Sequence, residues 1–177
     1  YGFTNTVNVR VTDTSGNSIV IALTSVQKTE NRDVNGDGYV DLVVGAPTNG
    51  TSSGKVYLFK GSASGITQTT ATSADQILTS GIGKNFGSSL AMTDINGDGF
   101  SDIVVCEWYS NSTNNASYYY LGSETGFGSQ TLILSVAATS DNCSSLAVGD
   151  FNNDGYGDVA ISDHNSNGKI YIHYGNA

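Results

Sequence analysis

The chain has 177 residues, a formal net charge of −9 and only 13% charged residues. That length supports one ordinary domain with a real core, and the acidity argues against nucleic acid or an anionic membrane surface as partner. No apolar stretch reaches membrane-spanning length, so membrane insertion is excluded from the reading, and two cysteines, Cys106 and Cys143, are too few for a disulfide framework.

One proline, 22 glycines and abundant Ser, Thr and Asn predict many short strands joined by turns. The chain starts at Tyr1 without Met or a signal peptide, and so reads as a processed or excised segment. Its first strand-like runs are "TVNVRVT" (6–12) and "SIVIALT" (18–24). "DVNGDGYVDLVVGAP" (33–47) follows, crowding three aspartates and an asparagine ahead of an apolar run. "VYLFKGSASGI" (56–66) is the next strand with its turn. The pattern then returns as "FGSSLAMTD" (86–94), "DINGDGFSDIVV" (94–105) and "YYYLGSETGF" (118–127). It returns again as "NCSSLAVGD" (142–150), "DFNNDGYGDVAI" (150–161) and "IYIHYGNA" (170–177).

These landmarks form an internal repeat. The loops open at Asp33, Asp94 and Asp150, at spacings of 61 and 56 residues. Gly61 lies 20 residues after Asp41, Gly122 lies 20 after Asp102, and Gly175 lies 17 after Asp158. The apolar runs Leu42–Val44, Ile103–Val105 and Val159–Ile161 lack polar alternation, so both faces of these strands should be covered. About four strands in somewhat more than 50 residues is the size of a propeller blade, and the Val, Ile, Tyr and Gly content argues against helical repeats. The expected fold is all-β, built of blades of four antiparallel strands, with repeats over about 1–65, 66–126 and 127–177.

"NFGSSLAMTDINGDGFSDIVV" and "DVNGDGYVDLVVGAP" resemble the FG-GAP repeats of the integrin α-subunit propeller and of many bacterial surface proteins. The resemblance covers nearly the whole chain from Asp33 onward. It fails ahead of the first loop, where "SVQKTENRD" replaces the FG segment and leaves 18–24 as the candidate inner strand of the first blade.

Each loop reads D-x-N-x-D-G-x-x-D. A hard cation such as calcium takes six to eight oxygens at roughly 2.3–2.6 Å, and a tightly coiled loop can supply them. The expected ligands are the side chains of Asp33, Asn35, Asp37 and Asp41; of Asp94, Asn96, Asp98 and Asp102; and of Asp150, Asn152, Asp154 and Asp158. Backbone carbonyls of Tyr39, Phe100 and Tyr156 complete the three sets. Gly38, Gly99 and Gly155 at position 6 permit the positive φ that such coiling needs, and Gly36, Gly97 and Asn153 at position 4 tolerate it. An EF-hand would carry a glutamate at position 12, where this chain has Val44, Val105 and Ile161. Zinc would ask for His or Cys, and magnesium for a smaller, stricter cage. Asx-rich turns alone also use Asp, Asn and Gly, but three loops with one ligand spacing favour three structural calcium ions. These would bring the net charge from −9 to −3.

The remaining candidates are weaker. His173 occupies the slot of Phe59 and Tyr120, inside a strand, and His164 that of Pro47 and Trp108, so neither suggests a catalytic triad. Cys106 and Cys143 take the slots of Gly45 and Gly87; a bridge between adjacent blades and two buried free thiols both remain open. Trp108, Tyr109 and Tyr118–Tyr120 form the densest aromatic region, which inter-blade core or a sugar-stacking surface would each explain. Sequons begin at Asn49, Asn111, Asn115 and Asn142, which chance explains in so Asn-rich a chain.

No catalytic constellation is legible. The resemblance implies a non-catalytic adhesion or protein-interaction module that is secreted, periplasmic or on a cell surface, with a protein or glycan ligand there or in the matrix. A lectin with sites between blades, as in some fungal integrin-like propellers, and an accessory domain of a larger secreted enzyme are the alternatives. Closed propellers typically need four to eight blades, and the last residues read into the first as "GNAYGF". Residues 6–12 are therefore expected as a fourth, outer strand of a blade like 143–174. Either two copies form a homodimer completing a six-bladed ring, or the segment belongs to a longer propeller.

Overall fold

The computed structural model describes residues 3–12, 18–27, 32–47, 54–68, 70–80, 85–107, 115–136, 142–163 and 168–177. They fall into two compact units, residues 1–31 and 32–177.

The first unit is a hairpin. β1 (Phe3–Thr12) pairs antiparallel with β2 (Ser18–Gln27) over ten residue pairs, Phe3 opposite Gln27 and Thr12 opposite Ser18. This corrects one expectation: residues 18–24 pair with residues 6–12 in a two-stranded sheet of their own, not as the inner strand of the first blade. The link between them is only Asp-Thr-Ser-Gly-Asn, rich in turn formers, so two adjacent β-prone runs close on each other at small loop entropy.

The second unit is all-β apart from a short 3₁₀ turn at Ala71–Ser73, among the described residues. Its first sheet has the order β3 (Leu42–Ala46), β4 (Lys55–Phe59), β5 (Gln76–Thr79). The second has four strands: β6 (Phe86–Thr93), β7 (Asp102–Glu107), β8 (Asn115–Tyr120) and β9 (Gln130–Val136). The third runs β10 (Asn142–Gly149), β11 (Asp158–Asp163), β12 (Lys169–His173). All neighbours pair antiparallel, in the meander order of propeller blades, and the described strands form separate sheets rather than a closed propeller.

The core lies between blades. Val56, Leu58 and Leu78 of the first blade pack with Phe86, Ile103, Val105, Tyr118 and Tyr120 of the second. On the other face of that second sheet, Ile95, Val104 and Cys106 pack with Cys143, Val159 and Ile161 of the third. This explains the unbroken apolar runs: β7 is buried along its whole length because a blade covers each face. β3 carries the same kind of sequence yet alternates between exposed and half-buried residues, because only one of its faces is packed.

Cys106 and Cys143 are joined by a disulfide with Cα atoms 5.5 Å apart, which ties β7 of blade 2 to β10 of blade 3. Asn115 and Asn142 open strands β8 and β10. Asn49 and Asn111 lie outside the described residues, as do His164, Trp108 and Tyr109.

Candidate metal centre

Each Asp/Asn loop leads directly into an apolar strand, β3, β7 or β11, with loops 2 and 3 following β6 and β10, and all three coil in the same way. The carboxylate at position 1 gathers backbone amides. Asp33 Oδ1 accepts from Gly36 N at 2.7 Å and from Asp37 N at 3.2 Å, and its Oδ2 accepts from Gly38 N at 2.8 Å. Asp94 accepts from Gly97 N and Gly99 N, and Asp150 from Asp154 N and Gly155 N. The coil needs positive φ at positions 4 and 6, and it has them: 71° and 88° at Gly36 and Gly38, 73° and 91° at Gly97 and Gly99, 62° and 91° at Asn153 and Gly155.

Position 3 leans on position 5. The amide Nδ2 of Asn35, Asn96 and Asn152 donates to Asp37, Asp98 and Asp154 Oδ2, at 2.8 Å in every loop. The other oxygen of each of these aspartates accepts from the N–H of position 7, Tyr39, Phe100 or Tyr156. Position 9 is the strut. Asp41 Oδ2 accepts from Val34 N at 2.8 Å and Oδ1 from Gly61 N at 2.7 Å. Asp102 does the same with Ile95 and Gly122, and Asp158 with Phe151 and Gly175. This gives the recurring downstream glycine, 20, 20 and 17 residues after the ninth position, its reason. The aspartate ties its loop to the turn after the next strand, and a β-carbon at Gly122 would stand 2.5 Å from the Ser101 carbonyl oxygen.

The electrostatics are those of a site short of positive charge. Asp102 is fully buried, and that burial pushes its carboxyl up to about 6, against the amides of Gly122 and Ile95 that favour the anion; Asp98 and Asp94 add to the rise. Burial likewise raises Asp41, opposed by Gly61 and Val34 N–H groups and reinforced by Asp33 and Asp37. The Asn35 side-chain oxygen is buried without a hydrogen-bond partner. An orphaned oxygen beside three carboxylates is the environment a hard cation would satisfy, and amide, carboxylate and carbonyl oxygens are the donors calcium takes. Among the described residues, no three Asp, Glu, His or Cys side chains stand grouped around one point in metal-binding geometry. The hydrogen bonds thus bring the four expected side chains of each loop into one coil, with the carboxylates turned onto backbone amides.

The loops also interlock, which the sequence pattern did not reveal. The Phe100 ring of loop 2 lies over Gly36 of loop 1, where a β-carbon would stand 2.7 Å from the ring. Tyr156 of loop 3 covers Gly97 of loop 2 in the same manner, at 2.6 Å. Ser101 N donates to Asp33 O at 2.9 Å and Gly157 N to Asp94 O at 2.7 Å. Position 2 becomes the plug: Val34 and Ile95 are buried in the junctions with blades 2 and 3. The available signal was the aromatic at position 7 of every loop opposite the glycine at position 4.

The aromatic run behaves as core. Tyr118 and Tyr120 are buried between blades 1 and 2; burial first, then Tyr118 and Glu107, pushes the Tyr120 hydroxyl up to about 12. Neither ring is available to stack on a sugar, which corrects that part of the aromatic reading. Tyr119 stacks on His173 with ring centroids 6.5 Å apart, and His173 lies within β12 as its slot implied.

Residues 33–105 and 94–161 match the FG-GAP-like repeat family. The chain is 34% identical to integrin alpha-7 of Rattus norvegicus over 146 residues, covering 78% of the chain and 12% of that protein. It is 34% identical to integrin alpha-6 of Gallus gallus over 103 residues (54% and 10%) and 28% identical to integrin alpha-3 of Cricetulus griseus over 145 (77% and 13%). The chain therefore spans about an eighth of the length of these relatives. Loop sequence, blade order and these likenesses agree: the chain belongs to the FG-GAP-like repeat family, with the blades of an integrin-like propeller.

Proposed function

We propose that the chain is a calcium-stabilised, non-catalytic module of extracellular adhesion or protein interaction. The observation that carries this is the shared coil of three oxygen-rich loops, each closed by a buried ninth-position aspartate and none with a positive charge in its motif. Three calcium ions would be held by Asp33, Asn35, Asp37 and Asp41; Asp94, Asn96, Asp98 and Asp102; and Asp150, Asn152, Asp154 and Asp158, with the carbonyls of Tyr39, Phe100 and Tyr156. Bound calcium supplies charge neutralisation and a rigid tie, not chemistry on a substrate. The ninth-position aspartates pass that rigidity to the turns at Gly61, Gly122 and Gly175.

Loops of this kind suit millimolar calcium, and a buried disulfide between blades suits an oxidising compartment. Both support a secreted, periplasmic or cell-surface setting and the adhesive role that the integrin likeness implies. Since the unfolded chain has no cage, calcium should stabilise by mass action, by about 1.4 kcal/mol per loop at ten times the dissociation constant. Thermal melts in chelator and in millimolar calcium test this. A clear rise with calcium is expected, diminished in Asp98→Ala; superimposable melts would remove the proposal's basis.

A further inference from the structure

We propose that the three loops take up calcium as a coupled row, with Phe100 and Tyr156 as the positioning residues that link each site to the one before it. This rests on the calcium reading above. At both junctions the second half of one loop is seated on the first half of the preceding loop. Phe100, at position 7, lays its ring over Gly36, and Ser101, at position 8, donates its N–H to the Asp33 carbonyl at 2.9 Å. Tyr156 and Gly157 repeat this on Gly97 and Asp94, the hydrogen bond now 2.7 Å. The turns held by the ninth-position aspartates close the same seam. A β-carbon on Gly122 would stand 2.9 Å from the Val34 carbonyl oxygen and 3.0 Å from the Phe100 β-carbon. One on Gly175 would stand 2.5 Å from the Ile95 carbonyl oxygen, which also accepts from Asn176 N at 3.1 Å.

These contacts fall on the residues that would hold the ions. Asp33 is a donor of loop 1, and its carboxylate is set by the Gly36 amide it accepts from. Loop 2 clamps this stretch at both ends, through the Asp33 carbonyl and over Gly36. The clamp is made by positions 7 and 8 of loop 2, which lie between that loop's own last donors, the Phe100 carbonyl and Asp102. Ordering either loop therefore arranges the other, and a loop whose neighbour is filled has less freedom left to lose. Linkage makes the help mutual.

Charge acts the other way, since a filled loop attracts a second cation less than an empty one does. The fifth-position aspartates Asp37, Asp98 and Asp154 are exposed, and physiological salt screens exposed charges beyond about 8 Å. Contact outweighs charge.

Hydrogen exchange of the 177-residue chain across a calcium titration tests the proposal, with a separate midpoint for residues 33–41, 94–102 and 150–158. Asp98→Ala disables loop 2 and should move the midpoints of loops 1 and 3 to roughly tenfold higher calcium. Phe100→Ala keeps every donor of loop 2. In its background, Asp98→Ala should move the loop 1 midpoint by no more than about threefold, while loop 3 still shifts roughly tenfold. A ring that only props its own loop lowers affinity without this non-additivity. Near-ultraviolet circular dichroism checks that each variant is folded; if Asp98→Ala is not, Asp98→Asn withdraws the charge at the same volume. Loops that fill with calcium while Asp98→Ala leaves loops 1 and 3 within about twofold of the parent overturn the coupling and leave the calcium reading standing. Midpoints that fall to lower calcium overturn the coupling, as does a loop 1 shift equally large in the Phe100→Ala background. No response to calcium in any loop removes both readings.

Discussion

The two junctions of blade 2 fill one structural slot in opposite ways. Towards blade 1 the slot holds Gly45 and Gly87, and the backbones are so close that a β-carbon on Gly87 would stand 3.2 Å from the Gly45 Cα, while one on Gly45 would run into the Gly87 carbonyl. Towards blade 3 the slot holds Cys106 and Cys143, whose side chains are merged into a disulfide spanning 5.5 Å between Cα atoms. The backbone is similar in both: Gly87 sits at φ 85° and Cys143 at φ 72°. A left-handed cysteine costs roughly 1–2 kcal/mol. Closing a 37-residue separation by a disulfide offsets it by about 3–4 kcal/mol in the chain-entropy account. The slot thus tolerates either no side chain or one shared side chain, and nothing between.

Filling the glycine slot should break the comparison most severely. Gly45→Val drives a branched side chain into the Gly87 backbone, and we expect a loss of about 4 kcal/mol or more, seen as a fall in melting temperature of roughly 8–16 °C. The disulfide junction should be next. Cys106→Ala with Cys143→Ala is expected to cost about 3 kcal/mol, and reductant should destabilise the parent but not this variant in denaturant titrations. Cys106→Gly with Cys143→Gly gives the second junction the chemistry of the first and should recover about 1 kcal/mol, because glycine takes the positive φ without strain.

The smallest effects separate the interlocked rings from the open one. Phe100→Ala and Tyr156→Ala each uncover the glycine of the preceding loop and should cost about 1–2 kcal/mol. Tyr39→Ala, in the same loop position but exposed, should stay within about 0.5 kcal/mol. Equal losses at all three sites would show that the ring acts inside its own loop rather than across the junction.

What could be read from the sequence follows from what is local. The coil of each loop is a nine-residue affair of Asp, Asn and Gly, so its positive-φ positions were legible, and the interval to Gly61 and Gly122 foreshadowed the carboxylate strut. The apolar runs announced a strand covered on both faces, true of β7 but not of β3, because a run does not record whether a neighbouring blade is present. The same limit left open whether Tyr118 and Tyr120 form inter-blade core or a sugar-stacking surface, and they are core. Cys106 and Cys143 lie 37 residues apart, and only the meeting of two sheets makes them neighbours. The propeller pattern placed 18–24 in the first blade, since repeat logic ignores how cheaply adjacent strands close a hairpin.

The account's central claim is that each loop is a cation site that pins its blade. Calorimetric titration of the chelator-stripped chain with calcium addresses it most directly, run in parallel on the parent and on Asp37→Ala, Asp98→Ala and Asp154→Ala. The account predicts three ions per parent chain and two in each variant. A parent chain that takes up no calcium, or variants that bind as many ions as the parent, would contradict it.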